Sequence, residues 1–133
     1  MRKKKVSKPT GNYRSKFEGD VAKLFKTLQV PFEYEPSDKV IEYVKPETTH
    51  KYTTDFVVGD TYFECKGYLD SEARKKMELI KKQHPDKRIV MVFMNPKLKI
   101  NKRYKTTYAD WCVKKGFEYC TIDGIQEILN TPR

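Results

Sequence analysis

Several classes of protein are excluded by features that this 133-residue sequence lacks. Its three cysteines, Cys65, Cys112 and Cys120, are odd in number and form no CxxC pair, so no disulfide framework is indicated. We interpret them as reduced thiols and expect a cytoplasmic protein. No apolar run approaches the roughly 20 residues that span a bilayer. No apolar segment follows the basic first 16 residues either, so we predict neither a membrane helix nor a secretory signal.

The short motifs of several enzyme classes are also missing. The sequence contains no GxxxxGK[ST] phosphate loop, no zinc-ligand spacing and no signature of a nucleophile triad. A nucleotide cofactor, zinc-based chemistry and acyl transfer therefore have no support in the sequence.

Positive charge is what the sequence has in excess. Lysine and arginine total 28 against 18 acidic residues, which gives a net charge of +10 with neutral histidines. The bases are concentrated in residues 1–16, 74–88 and 97–105, whereas residues 33–47 are acidic. A solvated helix face explains any one cluster alone. Together they indicate a polyanionic partner, nucleic acid or an acidic membrane surface, and we favour nucleic acid.

The remaining composition is typical of one domain with mixed secondary structure. The chain is 38% hydrophobic and 13% aromatic, enough for one core. We predict a flexible basic arm over residues 1–12 and a single domain over 13–133. Apolar stripes of helical period predict a helix from Ser15 that ends at Pro31, and a second over Ser71–Gln83. Strands are predicted at 32–35, 39–44, 52–58, 61–66, 88–93 and 117–121, with further helices at 107–115 and 123–129. This order indicates an α/β domain with a mixed sheet.

The most informative segment is a predicted hairpin. Gly59-Asp60 separates two strand-like runs and is typical of a two-residue turn, which pairs Val58 with Thr61 and places Asp55 opposite Glu64. Directly opposed like charges destabilise an antiparallel pair, so a cation between the two carboxylates is indicated. Lys66 lies on the same face because strand side chains alternate with period two. Phe56, Phe63 and Cys65 are expected on the other face, toward the core.

Two carboxylates and a lysine are the groups that magnesium-dependent phosphodiester cleavage needs. Mg²⁺ prefers oxygen ligands and is bound by one or two carboxylates. A nearby lysine can orient or deprotonate the attacking water, or stabilise the pentavalent anion. The alternative is that Asp55 and Glu64 are solvent-facing strand residues that Lys66 neutralises.

Asp55 followed by an apolar residue, with Glu64-Cys65-Lys66 on the next strand, resembles the PD-(D/E)xK nuclease signature, although Thr54 stands where many members have proline. Further stretches resemble the phage endonuclease I family of Holliday-junction resolvases. They are Arg14-Ser15 with Glu18, Phe32-Glu33-Tyr34-Glu35, His50-Lys51-Tyr52-Thr53, Lys66-Gly67, Arg74-Lys75-Lys76, Gln83-His84-Pro85, and Tyr108 with Trp111-Cys112 and Gly116. The resemblance covers roughly residues 12 to 117, in the same order.

The resemblance implies a restriction-endonuclease-like mixed β-sheet flanked by helices, in an intertwined homodimer. It also implies a Mg²⁺-dependent endonuclease that acts on branched DNA, in which Mn²⁺ substitutes and two ions bind per site. Glu18 joins Asp55, Glu64 and Lys66 as a catalytic residue, and the metal ligands are Asp55, Glu64, Glu18 and the backbone carbonyl of Cys65. Spacing alone favours a different role for Glu18, a capping box with Ser15. The chain lacks the long basic tail of the family, which leaves a tail contribution to DNA binding open.

Contacts to DNA are predicted for eight residues, namely Lys3, Lys4, Lys5, Arg14, His50, Arg74, Lys75 and Lys76. Bases carried on a helix contact the DNA backbone without reading its sequence, and a solvated helix face is the alternative for 74–76. His50 is more often structural in such a position, and Tyr108, Trp111 and Cys112 are expected in the core. The expected location is the cytoplasm, that of the host if a phage encodes the protein.

Three functions remain open from the sequence. We prefer a junction-resolving nuclease with branched DNA and a second copy of the chain as partners. A mismatch- or sequence-directed nuclease of the same fold is the closest competitor. A non-catalytic basic DNA-binding protein is the third, but anions facing phosphates would not help such a protein.

The charge pattern predicts a strong dependence of DNA affinity on salt. The logarithm of the association constant should fall with the logarithm of salt concentration, with a slope of about −0.9 per neutralised phosphate. Deletion of residues 2–8 should flatten this slope, as titrations of labelled DNA at several salt concentrations would measure, and leave cleavage positions unchanged. If the slope did not change, the arm would not contact phosphates and would serve only to keep the protein in solution.

Overall fold

The computed structural model describes residues 13–45 and 48–132, and its first element is the helix α1, Lys16–Thr27. Ser15 caps this helix, because its hydroxyl accepts a hydrogen bond from the Glu18 N–H at 3.0 Å. The buried residues of α1 are Val21, Ala22 and Phe25, so the predicted apolar stripe faces the core. The predicted arm, residues 1–12, lies outside the described residues.

Five strands form the main sheet, in the order β1-β4-β5-β6-β7. The first three pair antiparallel and the last three parallel, so the predicted mixed sheet is confirmed. Its strands are β1 (Glu33–Tyr34), β4 (Phe56–Val58), β5 (Thr61–Lys66), β6 (Arg88–Phe93) and β7 (Glu118–Cys120). The other helices are α2 (Ser71–Gln83), α3 (Tyr108–Lys115) and α4 (Ile125–Asn130), the last preceded by a 3₁₀ turn, Ile122–Gly124.

The predicted hairpin register is confirmed. Val58 pairs with Thr61, and Phe56 pairs with Phe63. Gly59 has a φ of 58°, a backbone conformation that glycine adopts without strain. Phe56, Phe63 and Cys65 are buried, as the period-two alternation predicts.

A second, two-stranded sheet was only half predicted. It consists of β2 (Ile41–Lys45) and β3 (Thr48–Tyr52), paired antiparallel within the chain. The sequence predicted β2 but gave no strand over β3, and the predicted strand 52–58 is broken between Tyr52 and Phe56. The break has a physical cause, because two side chains there form hydrogen bonds to the backbone of β5 in place of backbone–backbone hydrogen bonds. The Thr54 hydroxyl donates to the Phe63 carbonyl at 2.9 Å, and the Asp55 carboxylate accepts the Cys65 N–H at 2.9 Å.

Helices cover both faces of the main sheet, each over its own apolar cluster. One cluster joins α1 and α4 to the sheet, with Phe25, Phe63 and Ile125 among its members. The other joins α2 and α3 to the opposite face and to the small sheet, and includes Met77 and Trp111. The predicted core position of Tyr108, Trp111 and Cys112 is confirmed.

The last third of the chain follows the predicted order with small shifts. Thr107 and Asp110 form a reciprocal capping box at the start of α3, which explains its sharp beginning. Gly116 ends α3 with a φ of 82°, as a left-handed cap does. The closing helix, predicted over 123–129, is divided into the 3₁₀ turn and α4. Among the described residues, no helix is both long and apolar enough to cross a bilayer.

Candidate active site

Three carboxylates meet at one end of the main sheet. They belong to Glu18 in the first turn of α1, Glu35 just after β1, and Asp55 just before β4. One oxygen from each lies within 4.8 Å of the others, which is close enough to hold one metal ion. Glu35 and Asp55 are buried, and Glu18 is half-buried. Carboxylates this close together indicate a cation site, because their mutual repulsion is strong in a medium of low polarity.

Asp55 carries the clearest electrostatic signature. The residue is only 4% exposed, and burial raises the pKa of its carboxyl group well above the ordinary value, with further increases from the charges of Glu64 and Glu18. The hydrogen bond from the Cys65 N–H and the charge of Lys66 oppose this shift but do not cancel it. Perturbation of this kind is typical of functional carboxylates.

Glu64 and Lys66 lie beside the three clustered carboxylates. Glu64 is 5% exposed, and its Oε1 accepts a hydrogen bond from the Tyr52 hydroxyl at 2.6 Å. Its Oε2 lies 3.5 Å from the Lys66 ammonium, whose side chain is 24% exposed. The predicted neighbourhood of Asp55, Glu64 and Lys66 is therefore present in the structure. The ligand role of Glu64 stays a prediction, as does that of the Cys65 carbonyl.

Glu18 takes part in one half of the predicted capping box and in the acidic cluster. Its N–H is capped by the Ser15 hydroxyl, but its carboxylate accepts a hydrogen bond from the Tyr34 hydroxyl at 2.5 Å. The backbone of Glu18 therefore belongs to the cap, whereas its side chain belongs to the acidic cluster. Within the single chain, the carboxylates of Glu18 and Asp55 lie in the same acidic cluster.

Glu35 is a site residue that the sequence did not reveal. Its N–H donates to the Asp55 carbonyl at 2.9 Å, which extends the pairing of Tyr34 with Phe56 by one position. Its backbone has a φ of 46°, and its carboxylate forms an ion pair with the Arg14 guanidinium at 2.6 Å. Only the pairing of β1 with β4 brings Glu35 to Asp55. A strand of two residues is too short to be recognised, or placed in register, from a sequence pattern.

The residues predicted to contact DNA fall into distinct groups. Lys3, Lys4 and Lys5 lie outside the described residues. Arg14 pairs with Glu35, and the Arg74 guanidinium donates to the Leu69 and Ile100 carbonyls at 2.9 and 3.3 Å. Both arginines therefore have partners within the protein.

The remaining candidates lie around the small sheet and α2. His50 stacks on Tyr43 and shares a hydrogen bond of 2.8 Å with the Thr48 hydroxyl. Lys76 lies with its ammonium 5.2 Å from the centre of the Tyr52 ring. Lys75 is exposed. Four lysines, Lys45, Lys66, Lys75 and Lys76, line a cavity of about 580 Å³ whose lining also includes Asp70 and Glu72.

The chemistry of the donor set fits a hard divalent cation. Carboxylate oxygens are the ligands that Mg²⁺ and Ca²⁺ prefer. The thiol of Cys65, on β5, is buried, and burial together with the charge of Asp55 raises its pKa well above the ordinary value. A thiolate ligand for a softer metal is therefore disfavoured. The cluster and Lys66 together provide the groups for hydrolysis of a phosphodiester.

Comparison with known proteins points to one family. The sequence model of the family Phage endonuclease I matches residues 1–127. The chain is 41% identical over 120 residues to Endodeoxyribonuclease 1 of Enterobacteria phage T3, which covers 86% of this chain and 78% of that protein. It is 37% identical over 110 residues to Endonuclease I of Escherichia phage T7, with 82% of this chain and 72% of that protein covered.

The raised pKa of Asp55 predicts that this residue destabilises the protein when no cation is bound. A carboxyl group whose pKa is higher in the folded state stabilises the fold at low pH, and this contribution is lost as pH rises through the folded-state pKa. Replacement by Asn, which keeps an acceptor for the Cys65 N–H, should therefore raise the melting temperature at neutral pH in EDTA. An increase of about 3–6 °C corresponds to roughly 1 kcal/mol in a domain of this size.

The measurement is thermal unfolding of Asp55→Asn and wild type at about pH 5 and 8, with EDTA and with Mg²⁺. The advantage of the variant should shrink at the lower pH, and Mg²⁺ should stabilise the wild type alone. Asp60→Asn, at the exposed hairpin turn, is the control and should change little. A variant less stable than wild type at pH 8 in EDTA would contradict the electrostatic account.

Proposed function

The chain belongs to the phage endonuclease I family, and from this premise we propose that it is a structure-selective DNA endonuclease that resolves four-way (Holliday) junctions and other branched DNA. As a member of this family, the chain is a DNA endonuclease. The single observation that supports the catalytic part of the proposal is the group of buried carboxylates beside a partly exposed lysine, at one end of the sheet. We also propose that the fold is of the restriction-endonuclease-like type.

The proposed cofactor is Mg²⁺, with Mn²⁺ as a substitute and two ions per site. Asp55 and Glu18 would hold it, together with Glu64 and the Cys65 carbonyl as the sequence predicted, and Glu35 lies close enough to Asp55 to contribute. When bound, such a cation lowers the pKa of a water molecule and offsets charge on the phosphate. The raised pKa of Asp55 supports the proposal, because an excess of buried negative charge favours cation binding.

Lys66 is the proposed group for proton transfer or charge stabilisation. Its ammonium lies 3.5 Å from a Glu64 oxygen and retains access to solvent. From this position the ammonium can orient the attacking water or donate to the phosphorus-bound oxygens as their charge increases, whereas deprotonation of the water would need the neutral amine. Glu64 holds the ammonium in place in either role.

DNA would approach along the lysine-lined cavity. Lys45, Lys66, Lys75 and Lys76 line it, so a phosphate backbone lying there would reach Lys66, whose ammonium lies 3.5 Å from the Glu64 carboxylate. We keep Lys3, Lys4, Lys5, Arg14, His50 and Arg74 as proposed contacts as well. Arg14 and Arg74 also bind groups within the protein. Their main contribution to DNA binding would therefore be to hold neighbouring segments of the protein surface in place.

A homodimer is the proposed assembly. A four-way junction has two strands to cut, and a twofold-symmetric enzyme matches that symmetry. In the proposed intertwined form, the segment 39–44 crosses between protomers, so that Glu18 of one protomer serves the Asp55, Glu64 and Lys66 of its partner. In the alternative form, no segment is exchanged between protomers. Strand β2 pairs with β3 of its own chain, and Glu18 lies beside Asp55 of its own chain.

Substrate selectivity separates this proposal from its competitor, a mismatch- or sequence-directed nuclease. The purified protein would be incubated with a four-way junction and with a linear duplex of the same sequence, with Mg²⁺ and with EDTA. We expect cleavage of the junction, in Mg²⁺ only. Equal cleavage of the duplex would favour the competitor. Junction binding without cleavage under any divalent cation would favour a non-catalytic DNA-binding protein.

Alanine substitution tests the catalytic assignments. Asp55→Ala and Glu64→Ala should abolish junction cleavage but keep or improve junction binding, because each removes negative charge close to phosphate. Lys66→Ala should reduce the rate about a hundredfold or more. Glu127→Ala, which removes an exposed acid on α4, is the matched control. Parallel loss of binding and cleavage would contradict the proposed ligand roles.

A mixed dimer distinguishes the two forms of the homodimer. Glu18→Ala and Glu64→Ala chains would be refolded together and the heterodimer isolated with two affinity tags. In the intertwined form, one site carries both substitutions and the other carries none, so about half of the single-strand nicking should return. In the alternative form every site carries one substitution. An inactive, verified heterodimer would overturn the exchange and leave the nuclease proposal standing.

A further inference from the structure

Two buried tyrosine hydroxyls donate hydrogen bonds to carboxylates of the candidate site. Tyr34 donates to Glu18 Oε1 at 2.5 Å, and Tyr52 donates to Glu64 Oε1 at 2.6 Å. The tyrosines are only 1% and 3% exposed. They come from different sheets, since Tyr34 lies in β1 and Tyr52 ends β3. Each tyrosine therefore connects one carboxylate to a different part of the fold.

The position of the Tyr34 hydroxyl is fixed from two sides. It accepts a hydrogen bond from the Arg14 N–H at 3.0 Å, which leaves its own proton for Glu18. The Tyr34 ring packs edge-on against Tyr13, with centroids 4.7 Å apart, and lies 5.2 Å from the ring of Phe56. These contacts hold the ring, and thus the direction in which the hydroxyl donates.

Tyr52 is held in a comparable way on the other face. It pairs with Ile41 across the small sheet, and the Lys76 ammonium lies 5.2 Å from its ring centre. With Oε1 of Glu64 occupied by this hydroxyl, the other oxygen, Oε2, faces Lys66 at 3.5 Å. Burial raises the pKa of both tyrosine hydroxyls, so each remains a donor at neutral pH.

The physical need for such donors follows from the charges. Glu18 and Glu64 both raise the pKa of Asp55, which reflects repulsion among the three groups. A glutamate has three rotatable side-chain bonds and would turn away from this repulsion unless another interaction held it. A hydroxyl that donates to one oxygen holds the carboxylate and directs its second oxygen elsewhere, as partners of metal ligands do.

We propose that Tyr34 and Tyr52 are positioning residues, which hold Glu18 and Glu64 in the orientation that binds a divalent cation and pairs with Lys66. The inference rests on the proposed function, and it adds two residues to the site. It also gives the small sheet a role in catalysis, because β3 carries one of the two donors.

The experiment compares Tyr34→Phe and Tyr52→Phe with Tyr43→Phe in the full chain. Tyr43 is a matched control, since it is buried in the same small sheet but stacks on His50. Binding of Ca²⁺ would be measured by titration calorimetry without DNA, and junction cleavage would be followed over a range of Mg²⁺ concentrations. We expect about 10–100-fold weaker Ca²⁺ binding and a similar rise in the Mg²⁺ requirement for the two test variants, and no change for the control.

A second pair of substitutions separates positioning from general stability. In a Glu64→Gln background, Tyr52→Phe should have no further effect on Ca²⁺ binding, because the carboxylate it positions is already gone. Tyr34→Phe should keep its full effect there. If Tyr52→Phe lowers Ca²⁺ binding equally in both backgrounds, the proposed link to Glu64 is wrong.

Labelling provides a readout that needs no Phe variant to fold. 3-Fluorotyrosine incorporated at positions 34, 52 and 43 reports the surroundings of each ring by ¹⁹F NMR. Addition of Ca²⁺ should shift the resonances of 34 and 52 and leave that of 43 unchanged. Unshifted signals at 34 and 52, or Phe variants that bind Ca²⁺ like the control, would overturn the inference. If the wild type itself neither binds Ca²⁺ nor cleaves with Mg²⁺, the proposed function fails instead.

Discussion

Burial of several like charges in one place is the constraint on which this structure depends. Asp55 is almost fully buried, and its pKa is raised by burial and by the charges of Glu64 and Glu18. In the absence of a cation, only partial compensation is available from neighbouring groups. Among the described residues, these groups include the hydroxyls of Tyr34 and Tyr52, the guanidinium of Arg14, the ammonium of Lys66 and the N–H of Cys65. The protein thus holds an arrangement that costs stability, as functional sites commonly do.

The shape of the main sheet at this end follows from that constraint. Asp55 lies outside β4, and its carboxylate accepts the Cys65 N–H in place of a backbone partner. Thr54 makes a similar replacement with its hydroxyl. Glu35 leaves β1 with a left-handed backbone conformation and still donates its N–H to Asp55. The strands therefore end where side chains take over their hydrogen bonds, and the same interruption turns the acidic groups toward one another.

The positive charge of the chain is divided between two kinds of residue. Of the four arginines among the described residues, Arg14, Arg74 and Arg88 bind groups within the protein, and Arg88 does so with two hydrogen bonds of 2.8 Å to Glu118. The planar guanidinium suits such fixed, multiple contacts, whereas lysine is a mobile point charge. Four lysines line the cavity at Lys66, together with Asp70 and Glu72, and mobile point charges of this kind suit contact with a phosphate backbone, whose position matters more than its sequence.

The sequence by itself determined the local structure and half of the site. The helices, the Gly59-Asp60 turn and the β4–β5 register follow from short-range periodicity and turn chemistry, and they bring Asp55, Glu64 and Lys66 to one end of a hairpin. Only the tertiary structure decided the contacts between distant segments. Glu35 reaches Asp55 through the edge strand β1, and β3, which the sequence did not indicate, brings Tyr52 to Glu64. Residues of these pairs are 20 and 12 positions apart, and no local pattern records such a contact, because it depends on which strands pair and in which register. Glu18 shows the difference within one residue, since its backbone N–H obeys the local cap while its carboxylate joins a cluster that exists only in the folded chain.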